Sequence, residues 1–555
     1  MSNPGDTIIS RLRITAESSP DSLFCVHVLN GQEEFISYGQ LWRRSLSYAR
    51  KYISSGKEPG DIILIIVQHS PHLYYAFVGA MMAGLIPSIM PHATSKQDPA
   101  LYWAAHKTLF DRIQPRCIVA SPSVAAALLA HLPEWFHIVT EIGEVEGVAV
   151  SDATLCHRQP DDIAFLQHSS GTTALKKGVM LSHAAVLGQV NTYAKVLGFN
   201  SGHRIASWLP LYHDMGLIAA FIMPLIVGAS VVMLDPFQWV AKPETLLEAI
   251  QQHRTHYCWL PNFAFNHLAR AARIPQHLDL SNIVAFINCS EPCRADSFRL
   301  FENRFRPYGL PANSLQVCYA MAETVFAVSQ SALGSPPLIA LTDAESFHAS
   351  GRVEPPRAGQ PQLEFLSCGA PLAETDVRVW DAETGKVLED GEQGQIHLRA
   401  PWMFSGYFDL PDLTREKLAN GWYQTGDLGF MKEGYLYITG RSDDLLIVYG
   451  RNFYAHHVEE IAHQFAGVVP GRCVTITVDS VASGTREAVL IAEVNSGVDE
   501  GDLRRQIKER VLLLLGLNLH RLKFVSAGWL VKTTSGKIAR AANRDKYLRE
   551  MDSRR

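Results

Sequence analysis

The chain lacks paired cysteines and any metal-binding spacing. Its nine cysteines are an odd number scattered without a CxxC pair, the closest two being Cys289 and Cys293. That excludes a disulfide framework and predicts free, mostly buried thiols in a reducing, cytoplasmic setting. No HExxH or Cys/His cluster suggests zinc. Net charge is small, 50 Lys+Arg against 55 Asp+Glu, which argues against nucleic acid as the main partner. The N-terminal MSNPGDTIISRLRIT has neither the basic region nor the apolar core of a signal peptide. One uncharged run, Gly216 to Leu234, approaches the length of a membrane span, but Pro224 and the Gly228/Ser230 pair divide it. A buried helix turning into a buried strand is expected there, and no transmembrane segment.

What the chain does have is length and alternation. At 555 residues it exceeds a single core, so two or more domains are expected. Short aliphatic runs alternate with helical patterns: DIILIIV, then PHLYYAFVGAMMAG opened by a proline, then LIPSIM, RCIVAS, FHIVTE, IAFLQ and SVVML. This order predicts βα units and parallel-rich sheets. Residues 331–362 are rich in Pro, Gly, Ser and Ala and read as a long irregular insertion, whose apolar residues Leu338, Ile339, Leu341 and Phe347 suggest that part of it packs on something. Past 363 the runs EFLSC, DVRVW, QIHLR and YLYITG are β-like, and mixed α/β character resumes beyond 444. A boundary is therefore expected at GRSDD, giving a large domain over 1–442 and a small α+β domain over 443–555. Residues 501–555 carry 14 Lys+Arg against 5 Asp+Glu, whereas 1–440 carry 32 against 41.

The stretch HSSGTTALKKGVMLSH, His168 to His183, concentrates small hydroxyls, glycines and lysines. It is not a Walker loop, because Lys176 stands where GxxxxGK[ST] requires glycine. Hydroxyl and backbone donors of Ser169, Ser170, Gly171, Thr172 and Thr173, with the charge of Lys177, nevertheless suit phosphate oxygens. Further signatures follow in order. WLPLYHDMGL places His213 and Asp214 before an apolar run; NCSEPCR follows; CYAMAETV sets Tyr319 and Glu323 four apart, one face of a helical turn. A tyrosine stacks on a base and a carboxylate binds Mg²⁺. WYQTGDLG presents Asp427 in a glycine-flanked turn suited to a ribose diol, GRSDD adds Arg441, and KTTSGKIAR adds Lys537.

As an ordered set these motifs resemble the adenylate-forming superfamily, and LYHDMGL, WLPNFAF, NCSEPCR and GRNFYAHHVEE resemble its fatty acyl-AMP ligase branch. The resemblance implies activation of a carboxylic acid by ATP with Mg²⁺, then transfer to a thiol. It implies that Lys537 bridges carboxylate and α-phosphate, that loop 169–177 holds the β- and γ-phosphates, and that Glu323 and Thr172 bind Mg²⁺. Tyr319 would lie against adenine within a nucleotide-binding set that extends to Ala320, Met321, Ala322, Ser290, Glu291 and Pro292. Asp427 and Arg441 would fix the ribose, His213 would line the acid site, and Asp443 would be the hinge of a swinging small domain. The insertion falls where such ligases carry an extra segment. An acyl carrier protein is the expected acceptor, with the basic C-terminal residues as a docking surface; CoA is the alternative, and a binding relative without catalysis a third.

The sequence departs from the family pattern at Ala174 and Lys176 in the phosphate loop, Ala320 beside the tyrosine, Gln395, Ala455 and Val531. None of these removes a charged group assigned above.

Overall fold

Aliphatic runs without a polar face must be covered on both sides, and the first half of the chain uses them in that way. A computed structural model describes residues 6–93, 99–142, 155–168, 177–448, 451–480, 485–532 and 538–552. Two compact units result, each assembled from separate stretches. The first comprises Met1–Pro337, Ala370–Asp376 and Arg399–Gly421; the second comprises Leu338–Gly369, Val377–Leu398 and Trp422–Arg555. The boundary expected at 442/443 falls inside the second.

In the first unit, strand Ile62–Ile66 is buried at every position. It lies in a parallel sheet between Ile86–Ile89 and Cys117–Ala120, with Val139–Glu141 outermost. FHIVTE is only half a strand: Pro133 opens a 3₁₀ turn over Pro133–Ile138 and pairing begins at Val139. A nine-stranded sheet holds Leu315–Ala320, Ala285–Asn288, Tyr257–Leu260, Arg204–Ser207, Ser230–Leu234 and Leu23–Leu29 as successive parallel neighbours. Antiparallel strands Ala327–Gln330 and Gln32–Ser37 flank them. The uncharged run folds as expected, into a buried π-helix Met215–Ile222, a helix Met223–Val227 ended by Gly228 at φ 81°, and strand Ser230–Leu234. No helix among the described residues is long and apolar enough to cross a membrane.

In the second unit, strands Lys386–Val387, Asp376–Asp381, Gly394–Arg399, Trp422–Lys432 and Tyr435–Arg441 are neighbours in that order. The segment read as irregular contains a strand, Ile339–Asp343, paired antiparallel with Gln362–Leu366, and a helix, Ala344–Ser350, capped by Asp343. Phe347 packs with Ala340, Phe365, Phe430, Tyr437 and Tyr454. Part of the segment thus packs, as expected, whereas Leu338, Ile339 and Leu341 are exposed; strand alternation turns Ala340 and Thr342 inward and Ile339 and Leu341 outward. The C-terminal part is a sheet of Val468–Ser480, Thr485–Val494 and Arg521–Val525. Ala488, Leu490 and Ala492 face helices Ala455–His463 and Glu500–Leu515. The alternate residues Val489 and Ile491 cluster with Tyr547 of helix Arg540–Asp552. The fold class is thus mixed α/β, with parallel sheets and a β-rich region, as the sequence implied.

Candidate functional site

The hydroxyl-rich loop connects two paired strands. Ile163–His168 and Gly178–Ser182 run antiparallel, with His168 opposite Gly178 at the open end. Ser169, Ser170, Gly171, Thr172 and Thr173 lie outside the described residues, as do Ala174 and Lys176. Lys177 is the first described residue past the loop, and its Nζ sits 5.3 Å from the centroid of the Tyr407 ring, a cation–π distance. The Tyr407 hydroxyl donates to Glu323 Oε1 at 2.7 Å. One side chain that the sequence reading missed therefore brings Lys177 and Glu323 to a common point. Tyr407 is held there by backbone: Met180 N–H donates to Gly406 O, Phe408 N–H to Gly178 O, and Phe404 N–H to Glu323 O, at 3.0, 2.8 and 2.8 Å.

Tyr319 and Glu323 do not share a helical turn. Tyr319 ends strand Leu315–Ala320, and Glu323 lies in a 3₁₀ turn, Ala322–Thr324. A register shift between Tyr319 and Ala320 and a positive φ of 66° at buried Val325 bracket the turn. Left-handed backbone at a β-branched residue is costly and persists where surrounding structure fixes it. Ala320 is absent from the positive-φ residues, so its methyl costs nothing in backbone strain. Met321 N–H donates to Phe326 O, and Ala322 is buried. Glu323 Oε2 accepts no hydrogen bond among the described residues, and a single carboxylate with a vacant oxygen suits Mg²⁺, which binds through one or two carboxylates and substrate phosphates.

His213 precedes the π-helix, and its carbonyl accepts from Leu217 N–H at 2.7 Å. Asp214 caps that helix, accepting from Met215 N–H at 2.8 Å. In NCSEPCR the structure gives two residues local duties. Glu291 Oε2 accepts from Phe263 N–H at 3.0 Å, satisfying a free donor in the first turn of helix Asn262–Ala271, and Ser290 takes a left-handed φ of 70°. Pro292 is exposed. Asn262, quoted only as part of WLPNFAF, ties this loop down: its Oδ1 accepts from Asn288 Nδ2 and Arg294 N–H at 2.8 and 3.2 Å.

In the second unit, Asp427 lies not in a turn but within strand Trp422–Lys432, directly opposite Arg441. Gly426 just before it has φ 77°. Arg441 Nε is 3.2 Å from Asp427 Oδ1, with Arg441 54% exposed and Asp427 16%. The two residues are brought together as an ion pair across neighbouring strands. Asp443 lies in a 3₁₀ turn, Ser442–Asp444. Lys537 lies outside the described residues, but the base of its loop is built. Lys532 bridges Ile538; buried Asn543 accepts from Val531 N–H at 2.9 Å and donates to Val531 O and Ala539 O, both at 2.8 Å. This explains the departure at 531: a proline there has no N–H to give. Arg540, also missed, donates to Asp444 at 2.7 Å and to Glu459 and the Thr475 carbonyl. These acceptors hold its guanidinium well above the usual arginine range despite burial. The signal for Arg540 was its place at the start of a helix, which does not reveal partners 65 or more residues away.

A lysine directly after the hydroxyl-rich stretch, met by a carboxylate at the Tyr407 side chain, fits a nucleotide-dependent ligase. The chain belongs to the AMP-binding enzyme family, whose sequence model matches residues 12–408, and it is an adenylate-forming ligase. It is 28% identical over 555 residues to the long-chain-fatty-acid–AMP ligase FadD28 of Mycobacterium bovis, covering 94% of this chain and 93% of that one. FadD25 of Mycobacterium tuberculosis, which carries the name of a fatty-acid–CoA ligase, is 28% identical over 551 residues, covering 92% and 91%. A structure from a study of fatty acyl-adenylate ligases of E. coli and L. pneumophila matches with a TM-score of 0.88 at 25% identity, covering 100% of this chain and 99% of that chain.

Proposed function

We propose that the enzyme converts a fatty or related carboxylic acid to its acyl-adenylate and passes the acyl group to the phosphopantetheine thiol of an acyl carrier protein. The observation that carries the first step is the meeting of Lys177 and Glu323 at Tyr407, immediately beyond the hydroxyl-rich loop. The problem to solve is charge: a carboxylate must approach a polyanion, and a pentacoordinate phosphorus must be stabilised. The acid's oxygen forms a bond to the α-phosphorus as the bridging P–O bond to pyrophosphate breaks. Loop 169–177, with Lys177, takes up the charge of the leaving pyrophosphate. Glu323 and Thr172 would hold Mg²⁺, which neutralises phosphate oxygens when bound. Tyr319 lies against adenine, Asp427 and Arg441 order the ribose, His213 borders the acid, and Lys537 bridges the reacting oxygens. In the second step the thiol sulfur attacks the acyl carbon, AMP leaves, and residues 443–555 reorient about Asp443 between steps.

Acid-dependent exchange of pyrophosphate into ATP tests the first step across a panel of acids; no exchange with any acid refutes it. Lys537→Ala is expected to abolish exchange while ATP still binds, and an undiminished rate removes its role. The acceptor is decided by presenting the adenylate with CoA and with a phosphopantetheinylated carrier protein. The name carried by FadD25 keeps CoA as the second reading, and efficient discharge by CoA establishes it.

A further inference from the structure

One buried contact at the root of the loop has no part in the reading above. His168 is the last residue of its strand, one position before Ser169. Its Nδ1 lies 2.7 Å from Ser88 Oγ, which belongs to strand Ile86–Ile89 of the four-stranded parallel sheet, 80 residues away. Ser88 is 0% and His168 7% exposed. On the other side, His168 Nε2 is 3.1 Å from where a Cβ on Gly178 would sit. The imidazole therefore fills the space a side chain at 178 would need, and fixes how closely the two strand ends approach. Gly178 in turn accepts from Phe408 N–H, in the stretch that presents Tyr407 to Lys177 and Glu323.

We propose that His168 is a positioning residue for the triphosphate: Ser88 holds the imidazole, the imidazole sets the spacing of the loop's two ends, and that spacing places Lys177 relative to Glu323. The inference rests on the loop being the phosphate binder. A hydroxyl and an imidazole are needed together because the ring must be oriented, not merely present. A neutral ring directs one nitrogen as donor and the other as acceptor, and a bond at Nδ1 selects its rotation. Asparagine places a polar atom near the position of Nδ1, whereas phenylalanine fills the space without the bond.

The test uses the full-length enzyme and pyrophosphate exchange. Ser88→Ala, His168→Phe and His168→Ala are expected to raise the KM for ATP about tenfold, the cost of one buried hydrogen bond, with kcat and the KM for the acid within about threefold of wild type. His168→Asn is expected to restore most of the affinity when Ser88 is present and none when it is alanine. Ser88→Ala combined with His168→Ala is expected to be no worse than either alone. Folding is checked by thermal melting, and Ser88→Ala, the smallest change, keeps the test available if His168 variants misfold. An unchanged KM for ATP in folded Ser88→Ala, or a parallel fall in kcat with no change in KM, overturns the inference. Wild-type enzyme that exchanges no pyrophosphate overturns the reading of the loop instead.

Discussion

Tyr407 illustrates how a single hydroxyl organises charge. Its ring faces Lys177 and its oxygen bonds Glu323, so Tyr407→Phe separates the two roles. Phenylalanine keeps the ring contact and deletes a hydrogen bond to an ionised acceptor worth about 1.5–3 kcal/mol. We expect kcat/KM for ATP to fall at least about tenfold in the exchange assay, with the Mg²⁺ concentration for half-maximal rate rising. Equal kinetics for the two enzymes would show that Glu323 is positioned by backbone alone. Val531 supplies a second case. Restoring the family's proline removes the N–H that Asn543 accepts, and leaving that buried oxygen unmet costs about 1–3 kcal/mol. Val531→Pro is expected to lower the melting temperature and slow adenylation, although it moves the sequence towards the family pattern.

At the scale of elements, the π-helix after HDMG deserves its glycine. A Cβ on Gly216 would lie 2.2 Å from the Pro210 carbonyl oxygen, closer than any side chain tolerates. The wide turn is confirmed by Met223 N–H donating to Ile218 O, five residues back. Gly216→Ala is expected to cost about 1–3 kcal/mol in stability by overpacking and to displace His213, whose carbonyl caps the next turn. A raised KM for the acid together with a lowered melting temperature is the expected result. Elements of this kind divide what the sequence could and could not reveal. The buried strands, the proline-opened helix and the broken uncharged run were legible because each is written in local periodicity. Tyr319 and Glu323 were identified as residues but misplaced on a helix, since nothing local announces that a strand ends at Ala320 and a 3₁₀ turn begins. Tyr407, Arg540 and Ser88 were invisible because their partners lie dozens to hundreds of residues away. That part of the insertion packs was legible, but not that Phe347 would be buried while Leu338, Ile339 and Leu341 stay exposed, because hydrophobicity alone does not fix which face of a strand is inward.

For the molecule as a whole, neutral buried histidines set an acid limit. Burial, aided by nearby His69, depresses His27 to about 3, and burial with Arg158 nearby depresses His183 to about 4. Unfolded, both titrate near 6.5. Between these values the unfolded chain binds more protons than the folded one, so stability rises with pH. Their contribution is complete above 6.5 and is lost as pH falls towards 4 and 3. Melting temperature is expected to drop from pH 7 to pH 5, each such histidine adding up to about 1.4 kcal/mol per pH unit. His27→Phe, which cannot titrate, is expected to flatten the slope; a pH-independent melting temperature would refute the assignment.

The route of the chain also bears on how it is born. The first unit takes its final stretch, Arg399–Gly421, only after the second unit's strands Asp376–Asp381, Lys386–Val387 and Gly394–Arg399 have been made. A ribosome releases residues from the N-terminus onward, so Lys177 and Glu323 emerge long before the tyrosine that joins them. The Tyr407–Glu323 bond can therefore form only after more than 80 further residues have been made beyond Glu323, and a nascent chain arrested before position 407 would have its lysine and carboxylate but not their link.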